Sequence, residues 1–246
     1  MNFNLSLARN FAAESALAYE PHAGAAAVAV ADAGTDTRAV LTWFHDCTVL
    51  AFRGTVDLEN WLLNLDARQK PLAGGIKVHA GFLTAADALR PRLLAELLPA
   101  GRSKASLKPI YVTGHSLGGA LASLIAFMLA REGFPIAGVY TYASPRVGNH
   151  AWQTAYQAAL GDKTFRVVAS GDLVPLLPGL LAGYRHVGQE VYLTDQILLN
   201  PSRLIEIAAD SARTFFALER LDYKFILQFH SLEANYLKLL NRRNNY

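Results

Sequence analysis

The sequence predicts one α/β domain with a mostly parallel central sheet and helices on both faces. Three observations predict it. Strand-like and helix-like stretches alternate through the second half of the chain. The strand-like stretches there, such as "PIYVTG", "IAGVYTYAS" and "TFRVVAS", are continuous apolar runs rather than in–out alternations. That is expected of strands covered on both faces. Finally, 52% of the 246 residues are hydrophobic and 17% charged, which is ample material for a core. No repeat or low-complexity linker divides the chain, so residues 1–246 are expected to form a single domain.

In chain order, "MNFNLSLARNFAAESALAYEP" predicts a helix with Leu5, Leu7, Ala8, Phe11, Ala12 and Ala16 on its apolar side. It lacks a basic start, an apolar centre and a small-residue cleavage site, so it does not read as a signal peptide. No apolar run is long enough to span a bilayer. The expectation is a cytoplasmic chain, one exported without a cleavable signal, or a processed one. "AAAVAVAD" and "RAVLTWF" predict strands around the turn "DAGTD", and "CTVLAFRGT" a third strand. "VDLENWLLNLDARQKP" predicts a short helix closed by Pro71, with "LAGG" as a loop after it. "FLTAADALRPRLLAELL" predicts a helix interrupted at Pro91. Beyond it come a strand at "PIYVTG", a helix at "GGALASLIAFMLARE", a strand at "IAGVYTYAS" and a helix at "HAWQTAYQAAL". Strands at "TFRVVAS" and "HVGQEVYL" follow, then helices at 201–221 and 231–240.

Net charge is +3, with no basic stripe beyond Arg242-Arg243, so nucleic-acid binding has no support. The lone cysteine, Cys47, sits in an apolar stretch and reads as a small core residue rather than a reactive thiol. No His/Cys cluster has zinc spacing and no acidic loop has calcium spacing, so no metal or other cofactor is expected.

The informative stretch is Gly114-His115-Ser116-Leu117-Gly118, followed by Gly119. It fits G-x-S-x-G between a predicted strand and a predicted helix, the context a nucleophile elbow requires. The competing reading is a Ser helix cap in a glycine-rich turn. A Ser nucleophile needs a base, and the base an orienting acid, in the order Ser, acid, His. Asp172 follows the strand "TFRVVAS", which puts it in a loop at the carboxyl edge of the sheet; Asp195 is its rival. The base is His230 or His186. His186 precedes a strand, the wrong edge of a parallel sheet, and topology favours His230 without excluding His186. His115 adjoins Ser116 too closely to serve as its base and is expected to pack or hydrogen-bond locally. His22, His45, His79 and His150 precede Asp172 and read as ordinary histidines.

Several ordered blocks carry a resemblance: "AFRGT", "NWLLNL", "VHAGF", "VTGHSLGGALASL", "TYASPRVGN", "DLVPLLP" and "YRHVGQEVY". With them the chain resembles the fungal-type, or class 3, lipases of the α/β-hydrolase superfamily. The resemblance covers about residues 40–236. It implies the α/β-hydrolase fold and a Ser116–His230–Asp172 triad. It also implies a structural role for His186 and an oxyanion hole from Thr55 and the Leu117 N–H. The region 200–229 and "LQFHSLEANY" depart from the family's final block, so His230 is carried over on the least similar stretch.

The resemblance also places a lid at about 56–70. There Leu58, Trp61, Leu62 and Leu65 share one helical face, opposite Glu59, Asn60, Asn64 and Asp66. Such a lid would cover an apolar pocket when closed and meet lipid when open. Leu176, Leu177, Leu180 and Leu181 are candidates for further apolar wall. The implied activity is hydrolysis of acylglycerol esters with transient contact to a lipid interface, and no obligatory protein partner. A phospholipase or short-chain esterase with the same triad is the alternative. A non-catalytic relative of the fold is the third reading.

Overall fold

The computed structural model describes residues 1–21, 26–63, 66–194, 196–200 and 229–241, with main chain alone at 62 and 63. Helix α1 (Leu5–Leu17) precedes strands β1 (Ala27–Asp32), β2 (Thr37–Trp43) and β3 (Thr48–Phe52). Next come α2 (Leu58–Leu63), β4 (Gln69–Ala73), β5 (Ile76–His79), α3 (Ala80–Leu97), β6 (Ile110–His115) and α4 (Leu117–Arg131). They are followed by β7 (Ile136–Tyr142), α5 (His150–Leu160), β8 (Thr164–Ala169), β9 (Gln189–Leu193) and β10 (Ile197–Leu199). A π-helical segment, Leu232–Leu237, leads into α6 (Lys238–Asn241).

The main sheet has the order β1-β2-β3-β6-β7-β8-β9-β10. Strands β3, β6, β7, β8 and β9 run parallel, while β1, β2 and β10 add antiparallel edges. The apolar runs therefore fill two cores, one on each face. Leu50, Phe52, Val112 and Val139 face α3, α4 and α5; Val49, Tyr140, Tyr142, Phe165 and Val167 face α1 and the 232–241 segment. Neighbours along a strand divide between the faces, as Val139 and Tyr140 do, because strand side chains alternate. Cys47 packs partly into the second core. No described helix is long and apolar enough to cross a membrane.

Three expectations need correction. Pro91 does not interrupt α3, which runs unbroken from Ala80 to Leu97. Pro91 is exposed, and the buried stripe Phe82, Ala86, Leu89, Leu93 and Leu97 continues past it. Core burial on one face outweighs the loss of a single helical hydrogen bond on the wet face, about 3 kcal/mol. Pro71 does not close a helix. It lies in β4, whose one strand partner among the described residues is β5, so its missing N–H falls on an edge strand. "LAGG" is the tip of that hairpin rather than a plain loop: Gly74 and Gly75 both have positive φ, as a tight primed turn requires. The helix expected at 201–221 lies outside the described residues, as do Asp195, His22 and Arg242-Arg243.

Candidate active site

Strand β6 ends at His115, and α4 starts at Leu117, so Ser116 alone makes the turn between them. Its backbone has φ 59° and ψ −129°, a region costly for any side-chain-bearing residue. The neighbours over-determine it. Ser116 N donates to the Tyr142 carbonyl at 2.9 Å, and the Ser116 carbonyl accepts from Gly119 N at 2.9 Å. Glycine is needed where the turn closes: a Cβ on Gly114 would lie 2.3 Å from the Gly118 carbonyl oxygen. One on Gly118 would lie 2.2 Å from the Phe52 carbonyl oxygen. Gly118→Ala is therefore expected to destabilise the fold by about 3 kcal/mol. A thermal midpoint equal to that of the unmodified chain would contradict this account of the elbow.

Ser116 occupies the N-cap position of α4, yet its hydroxyl makes no capping bond. The cap reading thus loses its main support. The hydroxyl is buried, with only 2% of the residue exposed, and has no hydrogen-bond partner. A buried polar atom without a partner carries a desolvation cost and points to a chemical use.

Asp172 follows β8 in a turn at the carboxyl edge of the sheet. Its carboxylate accepts from His230 Nδ1 at 3.0 and 3.1 Å, from Val174 N at 3.0 Å and from Tyr236 Oη at 2.7 Å. A carboxylate only accepts, so Nδ1 carries the imidazole proton and Nε2 presents a lone pair. His230 Nε2 is buried and has no partner either. Two unpartnered atoms, the Ser116 oxygen and the His230 nitrogen, thus accompany a histidine already oriented by a carboxylate.

His186, the rival base, donates from Nε2 to the Pro175 carbonyl at 2.7 Å. Strand β9 is parallel to β8, so the edge argument against His186 holds. The structure brings Asp172 and His230 together and adds Tyr236; Ser116 follows His115, whose ring lies 4.7 Å from that of His230. The π-helical segment sets Tyr236 between Asp172 and the Ala169 N–H, which donates to its hydroxyl at 3.1 Å. Burial and the facing Asp172 charge push the Tyr236 phenol well above its usual range, so it stays a donor.

His115 is buried and packed, and its hydrogen bonds are not local: Nε2 donates to the His230 carbonyl at 2.8 Å, and Nδ1 accepts from Tyr19 Oη at 3.1 Å. The partners lie 115 and 96 residues away, beyond the reach of any local sequence signal.

Thr55 follows Gly54, where an added Cβ would come within 3.2 Å of Ser116 Cβ, so the end of β3 abuts the turn. The Thr55 hydroxyl accepts from Asp57 N at 3.2 Å. Leu117 opens α4, where an N–H has no intrahelical acceptor. Within the segment 56–70, only Leu58–Leu63 is helical, and residues 69 and 70 belong to β4. Leu58 is buried, and Trp61 stacks on Phe82 with ring centroids 6.5 Å apart. The side chain of Leu62 and all of Leu65 lie outside the described residues. Leu176, Leu180 and Leu181 are exposed and Leu177 is half-buried, on a loop held by Arg146, which donates to the Leu176 and Pro178 carbonyls.

The profile of one family, Lipase (class 3), matches residues 49–182. The secreted mono- and diacylglycerol lipase 1 of Fusarium solani is 39% identical over 147 residues, covering 59% of this chain and 43% of that protein. The chain spans about half the length of the curated relatives it matches, 43% and 53% in two of them. A crystallised mutant of MDLA from Penicillium cyclopium superposes with a TM-score of 0.71 at 27% identity, covering 85% of this chain and 88% of that one. A triacylglycerol lipase structure, described as having a serine protease triad as its catalytic centre, gives 0.70 at 25% identity. The match covers 94% of this chain and 91% of that one. The strand order and elbow are those of the α/β-hydrolase fold.

Proposed function

Because the chain belongs to the class 3 lipase family, we propose that it is a carboxylic ester hydrolase acting on acylglycerols, a triacylglycerol lipase with a Ser116–His230–Asp172 triad. One observation carries the reading: the Ser116 oxygen and the His230 Nε2 are both buried and unpartnered, while Asp172 holds the other ring nitrogen. His230 takes the hydroxyl proton as Ser116 attacks the ester carbonyl. The Asp172 carboxylate stabilises the imidazolium that results. The N–H groups of Thr55 and Leu117 stabilise the tetrahedral oxyanion, about 3 kcal/mol for each donor. His230 then gives its proton to the departing alcohol. Water, activated by the same nitrogen, hydrolyses the acyl-enzyme. These residues account for the whole sequence of steps without a cofactor.

The segment 56–70 is the proposed lid. The packing of Leu58 and Trp61 into the protein supports it, because those side chains would meet lipid when the segment swings out. Two measurements test the reading. A phosphonate ester should label Ser116, and label on another residue would refute the nucleophile. Hydrolysis of a triglyceride should rise once the substrate exceeds its solubility limit. A flat response, with faster turnover of dissolved short-chain esters or of phospholipid vesicles, would replace the triacylglycerol assignment by an esterase or a phospholipase.

A further inference from the structure

We propose that Tyr19 is a positioning residue that couples the oxyanion segment to the catalytic histidine through His115. This rests on the roles given above to Ser116, His230 and Thr55. Tyr19 ends the N-terminal helix region and lies outside residues 49–182, the part of the chain that the family profile matches.

Its hydroxyl lies against Gly54, where an added Cβ would meet it at 2.2 Å, and the hydroxyl proton goes to His115 Nδ1 at 3.1 Å. His115 Nε2 then donates to the His230 carbonyl at 2.8 Å. The direction of this chain is fixed. A carbonyl only accepts, so the His115 proton must sit on Nε2, and Nδ1 can only accept from Tyr19. The other tautomer would face a lone pair toward a carbonyl oxygen and leave the phenol proton unspent. Packing holds the same geometry: the His115 and His230 rings lie 4.7 Å apart, and Tyr236 meets His115 edge-on at 6.0 Å.

The first helix is itself anchored beneath the elbow strand. Ser15 Oγ bonds Thr113 Oγ1 at 2.9 Å, and Tyr142 donates its hydroxyl proton to the Ala8 carbonyl. Gly54 is required on the other side, since a Cβ there would fall 2.2 Å from the Tyr19 oxygen. One hydroxyl therefore packs on the residue before Thr55 and bonds, through His115, to the main chain that carries the base. Catalytic groups need to be held to within about half an ångström, and such supporting bonds hold them. Burial keeps the His115 imidazole well below its usual range, and the Tyr19 phenol is pushed up to about 12, so both stay neutral near pH 7.

Tyr19→Phe removes only the hydroxyl. On a dissolved short-chain ester, kcat should fall about tenfold, the effect of losing one positioning hydrogen bond, with KM unchanged. His115→Leu should cost about a hundredfold, whereas His115→Gln, which keeps a donor near the Nε2 position but loses the acceptor for Tyr19, should cost about tenfold, as Tyr19→Phe does. Phe11→Leu loosens the same helix against Tyr111 and Tyr140 without touching the chain of bonds. It should lower the thermal midpoint and leave kcat unchanged. Equal kcat in Tyr19→Phe and the unmodified chain, or an equal loss in Phe11→Leu, would overturn the proposal. Nitrogen-15 NMR of His115 gives a readout independent of turnover. The neutral Nε2–H tautomer is expected, disturbed in Tyr19→Phe; an Nδ1–H tautomer would overturn it. Loss of Ser116-dependent hydrolysis in the unmodified chain would instead strike the proposed function, and the NMR result would still judge Tyr19.

Discussion

Replacing Ser116 with Ala should lower ester hydrolysis by roughly 10⁴- to 10⁶-fold and leave the fold intact. The activity loss follows from removing the proposed nucleophile. The stability result follows from the local structure. The hydroxyl makes no cap bond and has no partner, so its removal strands no other group. Ser116→Gly sharpens the test. Glycine accepts the 59° φ of this position without a Cβ penalty, so the variant should be about 1 kcal/mol more stable than the unmodified chain and equally inactive. Denaturant melts and ester turnover on the same preparations check both halves. A Ser116→Gly protein less stable than the unmodified one would mean that the turn is not strained. Residual turnover above a hundredth would mean that another residue attacks.

Some of this site is legible in the sequence because its causes are local. The spacing of Gly114, Ser116 and Gly118 encodes two backbone approaches that a Cβ would block, so motif and geometry are the same fact. Asp172 was legible too, since a strand must end before a loop can carry a side chain at that edge. The parallel centre of the sheet was readable because burial on both faces removes alternation from a strand. What the residues alone left open depends on distant partners. The residue pattern left the base open between His186 and His230; Asp172 takes the ring of His230 and the Pro175 carbonyl that of His186. The tie from His115 to the His230 carbonyl has no local counterpart, because histidine beside a nucleophile reads alike whether it packs or donates. Tertiary burial also overrode two proline signals. Pro91 sits on the wet face of a helix held by its other face, and Pro71 lies in a two-stranded ribbon.

Asp172→Asn carries the second large effect, a fall in kcat of about 10⁴-fold with little change in KM. Three donors converge on this carboxylate: His230 Nδ1, the Val174 N–H and the Tyr236 hydroxyl. An amide has one acceptor oxygen and one donor nitrogen, so it cannot receive all three. Val174 bonds one oxygen and Tyr236 the other, so the amide oxygen keeps only one of them, and the NH₂ group stands in the other oxygen's place, where it faces Nδ1. His230 then takes the other tautomer, with its proton on Nε2, and offers Ser116 no lone pair. Tyr236→Phe removes one donor and leaves the carboxylate–imidazole bond in place, so its cost should be near tenfold. The two variants separate orientation from charge: only Asp172→Asn should switch the His230 tautomer in nitrogen-15 spectra. Asp172→Asn activity within tenfold of the unmodified chain would show that His230 is held by its main-chain link to His115 alone. Combining Asp172→Asn with Tyr19→Phe extends the argument. Both act on one imidazole, one at the ring and one at the backbone, so their effects should not multiply. Once the tautomer is wrong, better or worse placement of the ring changes little, and the double variant should fall close to Asp172→Asn.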